Sequence, residues 1–232
     1  MGRRTRAGRL LAIGAVAALW SCLALGATGC AGDDPAAAGE PSKVTVAGDS
    51  ISVGLGSSLR GAVAPTVTVK VIGENGTGLA RPDRFDWPAR LEELARDFPP
   101  EVLLLSVGSN DNQDLTDTEG DVVATKAEGW EDEYAARLAR SFDAFEATGT
   151  TVVWVGHVRT EDPGVAETNR GVHRIATELA ADRDWVEVQD LAELTGSGDD
   201  ETSRCLIADG LHLTVDCYDE AAVALAERIG AS

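Results

Sequence analysis

Histidine is scarce in this chain, with three among 232 residues, at positions 157, 173 and 212. Any mechanism that needs an imidazole has few places to put it. Several signatures are missing altogether. No G-x-S-x-G occurs, which argues against a lipase built on a nucleophile elbow. No G-x-x-x-x-G-K-[ST] occurs, which argues against P-loop phosphate chemistry, and there is no H-E-x-x-H. No Cys-x-x-Cys or Cys/His spacing suits zinc, so no metal is expected. With four Phe and two Tyr, nothing signals the apolar groove of an enzyme for long acyl chains. No internal repeat stands out. At 44% hydrophobic and 25% charged residues, the composition matches ordinary globular chains and excludes a fibrous or wholly disordered one.

Basic residues are few against acids, 20 to 39, for a net charge of −19. Such a surface repels nucleic acid, so no nucleic-acid partner is expected. It serves either a preference for neutral or cationic substrates or plain solubility.

The N-terminus is where the arginines cluster, at Arg3, Arg4, Arg6 and Arg9, ahead of an uncharged Ala- and Leu-rich run from Leu10 to Ala27. That is the outline of a signal peptide, and the run is short for a bilayer span, which takes about 20 residues. It ends in Gly26-Ala27-Thr28-Gly29-Cys30, which resembles the lipobox of bacterial lipoproteins. The expectation is a lipoprotein signal peptide over 1–29 with lipidation at Cys30, a flexible tether over 30–42 and one domain over 43–232. The mature protein is then exported and lipid-anchored on the outer face of the cytoplasmic membrane, as a monomer. Its 16 remaining basic residues against 39 acids leave −23. Cys22 leaves with the signal and Cys30 takes the lipid, so Cys205 and Cys217 remain to form a disulfide in that oxidising setting.

From residue 43 onward, short Val- and Leu-rich runs alternate with amphipathic stretches. The pattern predicts an α/β fold with five strands, at 43–47, 67–72, 102–107, 151–155 and 185–188, and helices over 87–98, 130–145, 167–181 and 218–229. Strands so uniformly apolar are buried on both faces, as in a parallel sheet covered by helices on each side. Ligands of such sheets bind beyond the strands' carboxyl ends. There the sequence places Gly48-Asp49-Ser50, the stretch Gly73 to Gly78, Gly108-Ser109-Asn110-Asp111 and Asp209-Gly210-Leu211-His212.

A serine nucleophile needs a base, and the base needs an acid to hold its tautomer. Asp209 precedes His212 by three residues in a Gly-containing loop, so the two can share one turn. His157 and His173 have no acid at comparable spacing and are read as surface or locally bonded. Ser50 stands where a strand ends and a helix begins, its N–H at the positive end of the helix dipole. Asn110 can add a side-chain amide and Gly78 a backbone N–H to an oxyanion hole. Taken singly, these residues also suit a helix cap, a turn and a loop glycine. Together, in order at consecutive strand ends, they resemble the four blocks of the SGNH/GDSL hydrolases, over nearly the whole length from 43 onward.

That resemblance implies a three-layer α/β/α sandwich of flavodoxin-like topology and acyl-enzyme hydrolysis by Ser50, Asp209 and His212. It implies an oxyanion hole of Ser50, Gly78 and Asn110, with Gly76 as the alternative glycine, and no cofactor. A closer likeness is to a bacterial periplasmic SGNH subgroup of unknown function. There the Asn block is followed by an aromatic helix, here Trp130, Tyr134 and Arg137, with Arg81-Pro82-Asp83 and Phe85-Asp86-Trp87-Pro88 upstream. Spaced i, i+4, i+7, the three share one helical face. With Asp49 and Asp111 they either wall a substrate pocket or form a stripe packed on the core, Arg137 paired to an acid. The expected substrate is a small acyl ester, acetyl above all, on an envelope glycan, glycolipid or small molecule. O-acetyl transfer to a sugar and a non-catalytic envelope-binding module are the alternatives.

Overall fold

Leu103, Leu104 and Leu105 are all fully buried, so the strand that carries them has no solvent face and both sides of the sheet must be covered. The computed structural model describes residues 40–116, 120–156, 159–196 and 202–232. In chain order these form β1 (Lys43–Gly48), α1 (Ser50–Ala62), β2 (Thr68–Gly73), α2 (Trp87–Asp97), β3 (Val102–Ser106), β4 (Leu115–Thr116) and β5 (Val122–Val123). Then come α3 (Trp130–Asp143), β6 (Thr151–Gly156), α4 (Pro163–Ala180), β7 (Val186–Asp190), α5 (Leu191–Leu194), α6 (Thr202–Cys205) and α7 (Val215–Arg228).

Five strands make one parallel sheet in the order β2-β1-β3-β6-β7. Alternate residues of each strand feed opposite cores. Leu103, Leu105, Val152 and Trp154 join Trp87, Leu91, Tyr134, Phe142, Val172 and Ile175 from α2, α3 and α4. Val44, Val46, Leu104 and Val153 join Ile51, Leu55, Leu59, Leu191, Ala221 and Leu225 from α1, α5 and α7. Each large aliphatic side chain so buried contributes about 1.5–3 kcal/mol, which is what holds the three layers together. The expected α/β/α sandwich with a flavodoxin-like strand order is the observed fold.

Helix starts follow their caps. Asp49, Asp86, Asp162, Asp190 and Thr214 each accept a backbone N–H of the first turn, satisfying donors that a helix leaves open. Helix α4 begins at Pro163, four residues ahead of the expected start, because Asp162 caps it and proline suits its first position. The hairpin β4–β5 and the helices α5 and α6 were not expected; each is too short to leave a periodic signal.

Strand order reverses between β1 and β3, since β2 lies on one side of β1 while the chain continues on the other. Such a switch point leaves a crevice at the carboxyl ends of the two strands. Ser50 follows β1 and Asn110 follows β3 there. At the end of β1, Gly48 has φ +140°, and a Cβ on it would lie 1.8 Å from the Ser106 carbonyl oxygen. Only glycine lets the two strands stay this close while the chain turns into α1. Among the described residues, no helix is long and apolar enough to cross a membrane. The expected signal peptide, Cys30 and most of the tether lie outside the described residues.

Candidate active site

Asp49 and Ser50 sit on the turn from β1 into α1. The Asp49 carboxylate, fully buried, caps the helix through the Ile51 N–H at 3.0 Å. Its other oxygen receives the Ser109 hydroxyl at 2.6 Å and the Asn110 amide at 3.4 Å. One acid thus ties the start of α1 to the turn after β3. Burial pushes the Asp49 carboxyl up to about 6, against the pull of its hydrogen bonds to Ser109 and Ile51.

Ser50 faces His212. Its Oγ lies 2.6 Å from Nε2, and Nδ1 lies 2.7 Å from Asp209 Oδ2. With its proton on Nδ1, the imidazole donates to Asp209 and accepts from Ser50. Asp209 Oδ1 accepts the N–H groups of Leu211 and His212 at 3.0 and 2.9 Å, an Asx turn that fixes Asp209 against His212 locally. The His212 and Leu211 N–H groups, then the imidazole, hold the Asp209 carboxyl down at about 2.

The turn is itself stapled. Ile207 N donates to His212 O, Thr214 N to Cys205 O, and Leu206 bridges Leu213. Cys205 and Cys217 are joined by a disulfide, closing a loop whose ring entropy is worth roughly 3 kcal/mol. Among the described residues, the one His/Cys/Asp/Glu group tight enough to share a metal is Cys205, Cys217 and Glu220, and its sulfurs are bonded to each other. His173 packs against Trp154 with ring centroids 5.8 Å apart, and His157 lies outside the described residues.

Asn110 Nδ2 donates to Thr77 O at 3.0 Å and approaches Ser109 Oγ at 3.2 Å. One amide hydrogen is therefore committed to the loop after β2, and the other is shared with the Ser109–Asp49 pair. Gly78 is buried, and a Cβ there would lie 2.1 Å from Asp111 Oδ1. Its glycine character lets Asp111 close on the loop. Because a trans peptide points C=O and N–H in opposite directions, a Thr77 carbonyl turned toward Asn110 turns the Gly78 N–H away from it. Gly76 is exposed, with open space around it.

The expectation of a pocket wall gives way at Asp49, Asp111 and Tyr134, all fully buried. Asp111 accepts Leu79 N–H, Ala80 N–H and the Tyr134 hydroxyl at 3.0, 2.9 and 2.9 Å. Trp130 stacks on Tyr134 at 5.0 Å, and Arg137 pairs with Glu133 at 2.9 Å. The i, i+4, i+7 stripe is thus a packed brace. Its ends border two separate cavities, about 400 Å³ beside Trp130 and about 270 Å³ beside Arg137.

The DUF459 family, described as a protein family of unknown function, matches residues 43–226, nearly all of the domain just described. The chain belongs to the DUF459 family. No curated protein matches it. This DUF459 chain shares its fold with solved SGNH/GDSL hydrolases. A lipolytic G-D-S-L family member from Veillonella parvula has a TM-score of 0.59 at 16% identity, covering 80% of this chain and 96% of that one. For the aryl esterase of M. smegmatis the values are 0.58, 16%, 81% and 97%. For an acetylxylan esterase from Geobacillus stearothermophilus, solved as a catalytic mutant, they are 0.57, 18%, 82% and 94%.

Asp49 and Asp209 leave opposite marks on stability. Native Asp49 keeps, up to about pH 6, a proton that the unfolded chain releases near 4, so its contribution falls as pH rises through that window. Asp209 contributes above about pH 4, and that contribution is lost as pH falls toward 2. Denaturant melts at intervals from pH 4 to 7 should show wild type losing stability relative to Asp49→Asn as pH rises. Parallel curves would mean that Asp49 titrates alike in both states.

Proposed function

We propose that this chain is a serine ester hydrolase in which Ser50 is the nucleophile, His212 the general base and Asp209 its orienting acid. The observation that carries the proposal is the unbroken chain from Ser50 Oγ through both ring nitrogens of His212 to Asp209, at 2.6 and 2.7 Å. Both contacts lie within the reach a nucleophile and base require. Ser50 Oγ attacks the ester carbonyl carbon while its proton passes to Nε2. The tetrahedral intermediate collapses, and Nε2 gives that proton to the departing alcohol. Water then attacks the acyl carbon, its proton going to Nε2; the second intermediate collapses with the acyl–Oγ bond breaking, the acid leaves, and Nε2 passes that proton to Ser50 Oγ.

The developing oxyanion needs donors. The Ser50 N–H, in the first turn of α1, has no intrahelical partner. Asn110 supplies the amide hydrogen it shares with Ser109 and Asp49. Exposure and the direction of the Thr77–Gly78 peptide favour Gly76 over Gly78 as the loop donor. No cofactor enters any step.

The substrate we propose is a short acyl ester, acetyl first, on an envelope glycan, glycolipid or small molecule. Support comes from the likeness to an acetylxylan esterase and from the signal-peptide pattern expected of residues 1–29. Hydrolysis of p-nitrophenyl acetate, butyrate and octanoate by residues 41–232 is the test, with Ser50→Ala alongside. The acetate should be cleaved fastest, and Ser50→Ala should lose at least about 10³-fold. Acylation of Ser50 without turnover would identify a transferase. Equal inertness of wild type and variant would favour an envelope-binding module.

The placement we propose is export with a lipid anchor on Cys30, the outcome expected of Gly26-Ala27-Thr28-Gly29-Cys30 after an apolar run. Labelling of the full chain in a bacterial host with a fatty-acid analogue should mark wild type but not Cys30→Ala; equal labelling of both would remove the anchor.

A further inference from the structure

We infer that Arg137 is a positioning residue for the oxyanion donors, acting through the carbonyls of Leu79 and Ala80. The inference rests on the hydrolase reading above and adds to it a residue remote from the reacting atoms.

Arg137 reaches out of α3 with all three guanidinium nitrogens occupied. Nε donates to Glu133 Oε1 at 2.9 Å, and Nη1 donates to Leu79 O at 2.7 Å and Ala80 O at 3.3 Å. Nη2 donates to Thr116 O, at the edge of the β4–β5 hairpin. Glu133 thus aims the fork, and the fork binds three backbone carbonyls, two in the loop after β2 and one in β4. Its side chain is 11% exposed, so these contacts face little competition from water.

Asp111 grips the same loop from its other side. It takes the N–H groups of Leu79 and Ala80 while Arg137 takes their carbonyls, so four consecutive backbone polar groups are satisfied by two side chains. The Leu79–Ala80 peptide is held at both ends, its oxygen by Arg137 and its N–H by Asp111. Because a peptide unit is planar, pinning both ends fixes its orientation and leaves the loop no free rotation there.

The clamp bears on chemistry because of what lies next to it in sequence. Asp111 adjoins Asn110, whose amide binds Thr77 O. Thr77 is held further by Trp87 Nε1 at 2.9 Å and through its own bond to Glu74 O at 2.6 Å. The loop from Thr77 to Ala80 and the turn from Ser109 to Asp111 are therefore tied together by these bonds. Arg137 opposes the pull of Asp111 and sets the depth at which the loop sits against Asn110. Oxyanion donors misplaced by about 1 Å lose about 10²-fold in rate.

Lysine cannot reproduce the fork, since its ammonium is a point donor. Arg137→Lys should lower kcat for p-nitrophenyl acetate by about 10²-fold with KM changed less than about 3-fold, because the interaction lost is made only in the transition state. The pH profile of kcat/KM should keep its wild-type inflections, because the Ser50–His212–Asp209 chain is untouched. Arg137→Ala with added guanidinium provides the second arm, and the cation should restore kcat toward wild type. Wild-type kcat in Arg137→Lys, or a kcat loss accompanied by displaced inflections, overturns the positioning role; so does an Arg137→Ala protein that folds but gains nothing from guanidinium. Inert wild type would instead overturn the hydrolase reading on which the inference stands.

Discussion

The Asp49 carboxylate is the contact on which the geometry of the site depends. It closes the first turn of α1 with one oxygen and holds Ser109 and Asn110 with the other. Ser50 is set by the first bond and the Asn110 turn by the second, so the distance between the Ser50 hydroxyl and the Asn110 amide is fixed by one buried carboxyl group. Burying an acid is costly, and the cost is visible in the rise of its titration to about 6. The fold offsets it with three donors, packed at the carboxyl ends of β1 and β3.

Asp111 repeats the device one step further out. It too is wholly buried, with its titration raised by burial, and it gives its oxygens to the backbone N–H groups of Leu79 and Ala80 in a neighbouring loop. The two acids repel one another across the turn that lies between them. Tyr134 and Arg137 meet that strain from the far side, the hydroxyl as a donor to Asp111 and the guanidinium as a nearby positive charge. Helix α3 thereby supports the site through Asp111. His212 comes separately, on a disulfide-stapled hairpin that needs only its local Asx turn and its docking on Ser50.

Much of this was legible in the sequence. Strand positions followed from Val- and Leu-rich runs and agree with the structure to within about two residues; β1, β3 and β6 are buried on both faces and leave an unbroken apolar signal, whereas the edge strands β2 and β7 are half-exposed, against the expectation that all five are covered on both sides. Ser50, Asp209 and His212 stood out because local spacing and strand ends carry them, and the structure brings the three into hydrogen-bond contact. What failed to show were bonds between distant segments. Nothing around Arg137 announces that its fork closes on Leu79 and Ala80, more than 50 residues upstream. The stripe at 130, 134 and 137 revealed a common face but not what that face covers. Gly78 shows the same limit, since a glycine that leaves room for Asp111 looks in sequence like one that leaves room for a substrate.

The central claim is that Ser50 is an activated nucleophile. Intact-mass and peptide mass spectrometry after treatment with a fluorophosphonate measures that directly, because the reagent bonds covalently to a serine oxygen made nucleophilic by a neighbouring base. The account predicts one adduct per chain, located on the peptide holding Ser50, and none on His212→Ala. Labelling that survives in Ser50→Ala, or its absence from the folded wild type, would contradict it.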